Sequence, residues 1–269
     1  MADLSGGEAS IDHMEPDSSL RLSIVIPAYN EAKRLPATLS RLHEYLSRQT
    51  YGYEIIVVSN DSTDGTDLVV MQAQEDAPAL RLMVLTERGK GLAARAGALQ
   101  SAGSIIFICD ADLSMPPENL RRFLDAIEFA DVVVGSREAP GATRYSEPWQ
   151  RHVMGRVFNR LVQRLAVPGI EDTQCGFKAF RRAVAHDLFG QQSVTGWGFD
   201  VELLFLARKY GYVVHELGID WHYDADSRVR PGYDTLSMLV EIVKIRLRDA
   251  RGGYRNQGEA APAGGNIVR

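Results

Sequence analysis

Two cysteines in 269 residues, no apolar run long enough to cross a bilayer and no glycine fingerprint for a dinucleotide set the first limits on this sequence. Cys109 and Cys175 are too few for a disulfide framework and lack metal-site spacing, so both read as packing residues in a reducing, cytoplasmic setting. No segment approaches the ~18 to 20 consecutive apolar residues of a membrane span. Residues 1–19 are polar and acidic, unlike a secretory leader. The first strand-like run is not followed by G-x-G-x-x-G, which argues against a dinucleotide dehydrogenase. Arg88-Gly-Lys-Gly91 is no Walker A loop, because the upstream glycine spacing is missing and no Ser or Thr follows Lys90.

Positive charge is short overall, with a formal net charge of −5, but unevenly so. Residues 1–136 carry 11 Lys and Arg against 20 Asp and Glu, whereas residues 137–256 carry 18 against 14. A basic second half suggests an anionic substrate or surface there; dispersed solvated charge is the plainer alternative.

What is present is an apolar fraction of 45%, enough for a full core. Strand-like runs at Leu22–Ile26, Tyr53–Val58, Leu80–Leu85, Ile105–Cys109 and Asp131–Val134 alternate with helix-like stretches at Thr38–Leu46, Thr66–Gln74, Gly91–Ala102 and Pro117–Phe129. This alternation predicts an α/β class with a mostly parallel central sheet flanked by helices. Beyond Arg137 the pattern loosens into a Gly- and Pro-containing loop, helices over Gln150–Leu165, Asp200–Tyr210 and Tyr233–Arg248, and a strand over Tyr212–Ile219. Residues 1–20 and 250–269 read as disordered tails around one domain at 21–249.

Asp110-Ala-Asp112 directly follows the run ending at Cys109. Carboxylates two apart at a strand end face one point, where they would hold a divalent cation bridging phosphates; solvated loop aspartates are the bland alternative. Ile24-Val-Ile-Pro-Ala-Tyr-Asn-Glu31 is an apolar strand stopped by Pro27, at the kind of strand end where open α/β sheets bind ligands. Glu54-Ile-Ile-Val-Val-Ser-Asn60 runs into a loop of small hydrogen-bonding residues, and Ser62 to Thr66 reads as a turn and helix cap. Asp172-Thr-Gln-Cys-Gly-Phe-Lys178 and Gly196-Trp-Gly-Phe-Asp-Val-Glu202 complete the set.

Together these segments resemble the family 2 inverting glycosyltransferases of GT-A (Rossmann-like, nucleotide-diphospho-sugar transferase) fold, within them the polyprenyl (dolichyl) phosphate sugar synthases, and especially the glucosyl branch. The resemblance covers about residues 21 to 249. It implies a nucleotide-sugar half at 21–136 and an acceptor half at 137–249. It implies a donor site from Pro27, Ala28, Tyr29, Glu31, Val58, Asn60, Lys90, Asp110, Ala111 and Asp112, with Tyr29 offering a stacking face. Asp110 and Asp112 are the implied ligands for Mg²⁺ or Mn²⁺, with Ser114 at a third polar position. Arg137, Arg228 and Arg230 are implied at the reacting phosphates, and Asp200 is the implied catalytic base alongside Asp112 and Arg137. A phosphate acceptor is already an anion, so Asp200 could equally orient or cap. One departure stands out: relatives usually carry Asp-Asp where this chain has Ser59-Asn60, followed by Asp61 where glycine is common.

The resemblance implies a metal-dependent hexosyltransferase, UDP-glucose being the favoured donor and GDP-mannose the second, acting on a polyprenyl phosphate with no nucleic-acid partner. Apolar positions 149, 153, 157, 161 and 165, and later 236, 239, 240, 243 and 247, lie beside basic residues including Arg156, Arg160 and Arg164. Such helices suit either an anionic membrane face or an ordinary core. A glycosyltransferase with a soluble hydroxyl acceptor is the rival enzyme reading, and a non-catalytic sugar-nucleotide binder is the rival from another class.

Overall fold

The computed structural model describes residues 20–224 and 233–254. Leu-Arg-Leu-Ser-Ile-Val-Ile-Pro-Ala is buried from its third residue on, the signature of a strand covered on both faces, and forms β1 (Leu20–Ala28). The chain continues through α1 (Leu35–Leu46), β2 (Gly52–Asn60), α2 (Thr66–Gln74), β3 (Leu80–Leu85), α3 (Lys90–Leu99), β4 (Ile105–Ile108), α4 (Asn119–Ala126) and β5 (Val132–Ser136). Then come β6 (Thr143–Tyr145), α5 (Trp149–Leu165), β7 (Lys178–Arg181), α6 (Arg182–Gln191), α7 (Phe199–Lys209), β8 (Val214–Gly218), β9 (Asp220–His222) and α8 (Tyr233–Ala250).

The main sheet has the order β3-β2-β1-β4-β7-β5-β8 and is parallel except for β7, which runs antiparallel to both neighbours. One apolar cluster packs α3, α6, α7 and parts of α5 and α8 on one face; the other packs α1 and α4 on the opposite face. Small residues let α3 sit close to the sheet: a Cβ on Gly97 would fall 2.9 Å from Val58 Cγ2. β6 and β9 form a separate two-stranded ribbon. Among the described residues no helix is long and apolar enough to cross a membrane.

The structure departs from sequence expectation in four places. Pro27 does not stop β1, because it lies past the last β1–β4 pair, Val25↔Ile108, and still aligns with Val58 of β2. Val25 accepts from Cys109 N–H, so Pro27, two residues on, turns its missing donor to the side where the β4 ladder has ended. β7 and α6 are absent from the sequence reading, since Lys178-Ala-Phe-Arg181 has a charge at each end and no apolar run. β6 and β9, three residues each, are too short to carry a period. Residues 251–254, expected in a tail, belong to the packed domain, with Tyr254 only 4% exposed within the core.

Candidate active site

Strands β1, β2 and β4 deliver their C-terminal ends to one edge, the position where ligands meet open α/β sheets. Two residues beyond the final β4–β7 pair, Ile108↔Lys178, antiparallel register sets Asp110 opposite Gly176. The Asp110 carboxylate fills the space above that glycine: a Cβ there would lie 2.6 Å from Oδ1 and nearer still to Cγ and Oδ2. Asp110 Oδ1 pairs with Lys90 Nζ at 2.6 Å, and that ammonium lies 5.1 Å from the centre of the Trp197 ring. Burial alone would push the Asp110 carboxyl up, but the charges of Lys90, Lys178 and Arg137 hold it below the ordinary carboxylate range. Asp112 goes the other way, raised by burial and by the neighbouring Asp110 charge. Its Oδ1 accepts Ser114 N–H at 3.1 Å. Between them Leu113 has φ +44, a left-handed conformation that leucine rarely adopts, so this loop stores backbone strain at the site.

Beneath this pair lies a second one. Lys178, 1% exposed, donates from Nζ to Asp200 Oδ1 at 2.7 Å and to the Cys175 carbonyl. Asp200 is 4% exposed, and burial raises its carboxyl despite the partly offsetting Lys178 and Lys90 charges. Arg137 is gripped by buried Asp172: Nε to Oδ2 at 2.7 Å, Nη2 to Oδ1 at 2.8 Å and its backbone N–H to Oδ2 at 2.9 Å. The guanidinium also lies 5.1 Å from the Trp221 ring centre. Two prongs of the fork expected at phosphates are thus engaged within the protein.

On the donor side Ala28 and Val58 are fully buried strand residues, and Ala111, 6% exposed, accepts Thr38 Oγ1 at its carbonyl. Asn60, 2% exposed, donates to the Ala28 carbonyl at 2.8 Å and accepts Gly89 N–H at 3.1 Å, tying three loops together. Tyr29 has the Arg88 guanidinium 3.9 Å from its ring centre, so one stacking face is already covered. Both Glu31 oxygens accept from Arg34 at 2.6 Å; Arg34 also reaches Asp224 at 3.1 Å, and its charge acts on Asp112. Asp61 sits at φ +58, which explains why glycine suits that position and why aspartate is tolerated. The turn reading of residues 62–66 is seen directly: Asp64 Oδ1 accepts both the N–H and the hydroxyl of Thr66.

Arg228 and Arg230 lie outside the described residues. The structure brings together Asp110, Asp112, Lys90 and, one layer below, Asp200. Sequence reasoning assigned no roles to Arg34, Asp172, Gly176, Lys178 or Trp197. Of these, Asp172, Gly176 and Lys178 sit in one motif it had singled out and Trp197 in another, and the signal for the roles of the first three was the antiparallel strand it did not foresee. Cys109 and Cys175 are buried thiols; burial pushes Cys175 up to about 12 and Cys109 well above its ordinary value, which suits packing.

Among the described residues no group of three or more His, Cys, Asp or Glu side chains could hold a metal by itself. Asp110 and Asp112 nevertheless fit a hard divalent ion: two carboxylates whose mutual repulsion a cation relieves, with substrate phosphates and water completing the shell.

The model of glycosyl transferase family 2 matches residues 23–189. The chain is similar to dolichyl-phosphate beta-glucosyltransferases of Dictyostelium discoideum, 34% identical over 88% of this chain and 77% of that protein, and of Homo sapiens, 34% identical over 87% and 78%. It also superposes on glucosyl-3-phosphoglycerate synthase of Mycobacterium tuberculosis, solved with Mn²⁺, UDP-glucose and phosphoglyceric acid, at TM-score 0.62, with 17% identity, covering 89% of this chain and 82% of that one. That likeness carries the fold, which is GT-A. With the antiparallel β7 setting the motif glycine against Asp110 and two thirds or more of each relative covered, the chain belongs to glycosyl transferase family 2, as a hexosyltransferase similar to the dolichyl-phosphate beta-glucosyltransferases.

Proposed function

We propose that this protein transfers glucose from UDP-glucose to a polyprenyl phosphate of the dolichyl kind, with inversion, using Mg²⁺ or Mn²⁺ held by Asp110 and Asp112 at a membrane surface. The observation that carries the reading is the charge layout. Asp110 and Asp112 stand beside Lys90, while Asp200, the carboxylate expected as a base, is occupied by buried Lys178. A site whose expected base is already ion-paired, among the described residues, suits an acceptor that is already ionised. In the reaction an acceptor phosphate oxygen forms a bond to the anomeric carbon as the bond to the UDP oxygen breaks, and the electron pair leaves with UDP. The metal, when bound, neutralises charge developing on the departing diphosphate. Lys90, fixed between Asp110 and the Trp197 face, offers a second cation to the same oxygens, and Asp172 holds Arg137 at one orientation, its positive charge adding to theirs.

The lipid part rests on α5 and α8, which pack against each other. Trp149, Val153, Val157, Leu161 and Leu165 form an exposed row at every fourth position of α5, and Leu236, Val240, Val243 and Leu247 are exposed on α8. Arg160, Arg164, Lys244 and Arg251 are exposed beside them. Arg156 turns instead to Glu138 and Glu171, so it is not part of that basic rim. So much ordered apolar surface with a cationic border fits anionic lipid.

The test is a panel of UDP-glucose and GDP-mannose with long-chain polyprenyl phosphate or a small hydroxyl acceptor, with and without metal. Metal-dependent formation of a glucosyl lipid phosphate is expected, together with binding to anionic vesicles that weakens with salt. Preference for the hydroxyl acceptor, with collapse of activity in Asp200→Asn, would overturn it in favour of a soluble-acceptor enzyme.

A further inference from the structure

We propose that Glu241 of α8 is a positioning residue for sugar transfer, acting through the Gly196-Trp197-Gly198 turn. The inference rests on the reading of this centre as a sugar-transfer site and adds the element that sets its geometry. Glu241 Oε2 accepts Gly198 N–H at 2.8 Å. Its carboxylate lies over both glycines: a Cβ on Gly198 would sit 2.7 Å from Oε2 and 3.1 Å from the Glu241 Cβ, and one on Gly196 would collide with Oε1. Only glycines at both places let α8 approach this closely.

What the turn carries gives the contact its consequence. Trp197, between the two glycines, provides the ring beneath Lys90, whose ammonium holds Asp110 at 2.6 Å. Gly198 also begins α7, its carbonyl accepting Val201 N–H at 3.1 Å and Glu202 N–H at 3.2 Å, so fixing Gly198 fixes the turn bearing Asp200. A second carboxylate closes the other flank. Glu202 accepts Ser193 N–H, Val194 N–H at 2.7 Å and the hydroxyl of Tyr254 at 2.6 Å, just past the end of α8. The stretch from Ser193 to Gly198 is therefore held from α8 at Glu241 and from beyond its end at Tyr254. On its outward side the same helix shows Leu236, Val240, Val243 and Leu247. Glu241 is the point at which the lipid-facing helix grips the turn under the donor phosphates.

The experiment measures kcat and KM for UDP-glucose with a short-chain, water-dispersible polyprenyl phosphate, in parallel with vesicle binding and thermal melting. Glu241→Ala is expected to lower kcat/KM by roughly 10-fold or more through misplaced Lys90, with vesicle binding unchanged. Glu241→Gln, whose amide oxygen accepts the same N–H, should recover most of that loss. Gly196→Ala displaces the carboxylate without removing it and must reproduce the kinetic defect even if Glu241→Ala does not fold. Wild-type kinetics in Gly196→Ala, or in a folded Glu241→Ala with only its melting temperature lowered, would overturn this inference alone. Absence of transfer by the wild-type protein would overturn the parent reading and this one with it.

Discussion

Replacing Gly176 by alanine isolates the contact between the segment leading into β7 and the first aspartate of the Asp110-Ala-Asp112 motif. The backbone at Gly176 has no positive φ, so alanine adds no conformational strain, and the whole perturbation is one methyl group. That methyl would stand 2.6 Å from Asp110 Oδ1 and closer to the other carboxylate atoms. Ordinary contact is about 3.5 Å and Oδ2 would be only 1.8 Å away, so the carboxylate must retreat by well over 1 Å. The atoms met are those of a side chain rather than backbone, which keeps the expected cost to stability at the low end of overpacking, about 1 kcal/mol. Rotation breaks the pairing with Lys90 and moves an oxygen of the proposed metal site off its place. A 1 Å error at a reacting centre costs on the order of 10²-fold in rate. Steady-state transfer assays with metal titration, beside thermal melting, should show kcat/KM down about 10²-fold, a higher metal requirement and a melting temperature within a few degrees of wild type. Wild-type turnover, or a loss of activity that merely follows unfolding, would refute the argument.

Four further outcomes are expected. Asp112→Asn should abolish metal-dependent transfer while circular dichroism and melting stay near wild type, since the side chain is half-buried and supports little of the core. Asn60→Asp should destabilise by roughly 1–3 kcal/mol in denaturant titration, because a carboxylate would replace the amide donor facing the Ala28 carbonyl. Arg137→Lys should lose both transfer and about 1–3 kcal/mol of stability, as buried Asp172 keeps a charge nearby but loses the fork that satisfied both its oxygens. Although burial opposes it, the Arg137 charge leaves Asp172 depressed below its ordinary value, so its stabilisation is complete above the unfolded carboxylate pKa of about 3.9 and disappears as pH falls through the lower folded value. The stability gap between wild type and Asp172→Asn, read from urea midpoints, should therefore be constant from pH 5 to 8 and shrink below about pH 4.

The first half of the chain was legible because its strands are apolar runs, β1 and β2 buried from their third residue on, with helices between them: even at the more exposed edge strand, β3 and the preceding α2 begin and end where periodicity alone puts them. Asp110 and Asp112 were legible because a strand end and a two-residue spacing suffice to converge carboxylates. The roles of Asp172, Gly176 and Lys178 were not, because they depend on a four-residue strand inserted from 70 positions away between Ile108 and Val134, and long-range register leaves no local trace. Charged side chains whose partners lie across the fold were misread for the same reason. Arg137 and Glu31 look available in sequence, yet each is paired, with Asp172 and Arg34 respectively. Arg34 follows Glu31 by three residues, a spacing that could have suggested their pairing.

The strand β7 also decides how this enzyme should fail and how it can change. Lys178 is hydrogen-bonded into the sheet between β4 and β5, so the amides around the cation beneath the centre are expected to exchange with solvent only when the whole domain opens. Inactivation by heat is then expected to coincide with global unfolding rather than precede it as local fraying. Substitutions on the exposed faces of α5 and α8 lie away from that strand, and are expected to leave the unfolding of the centre unchanged.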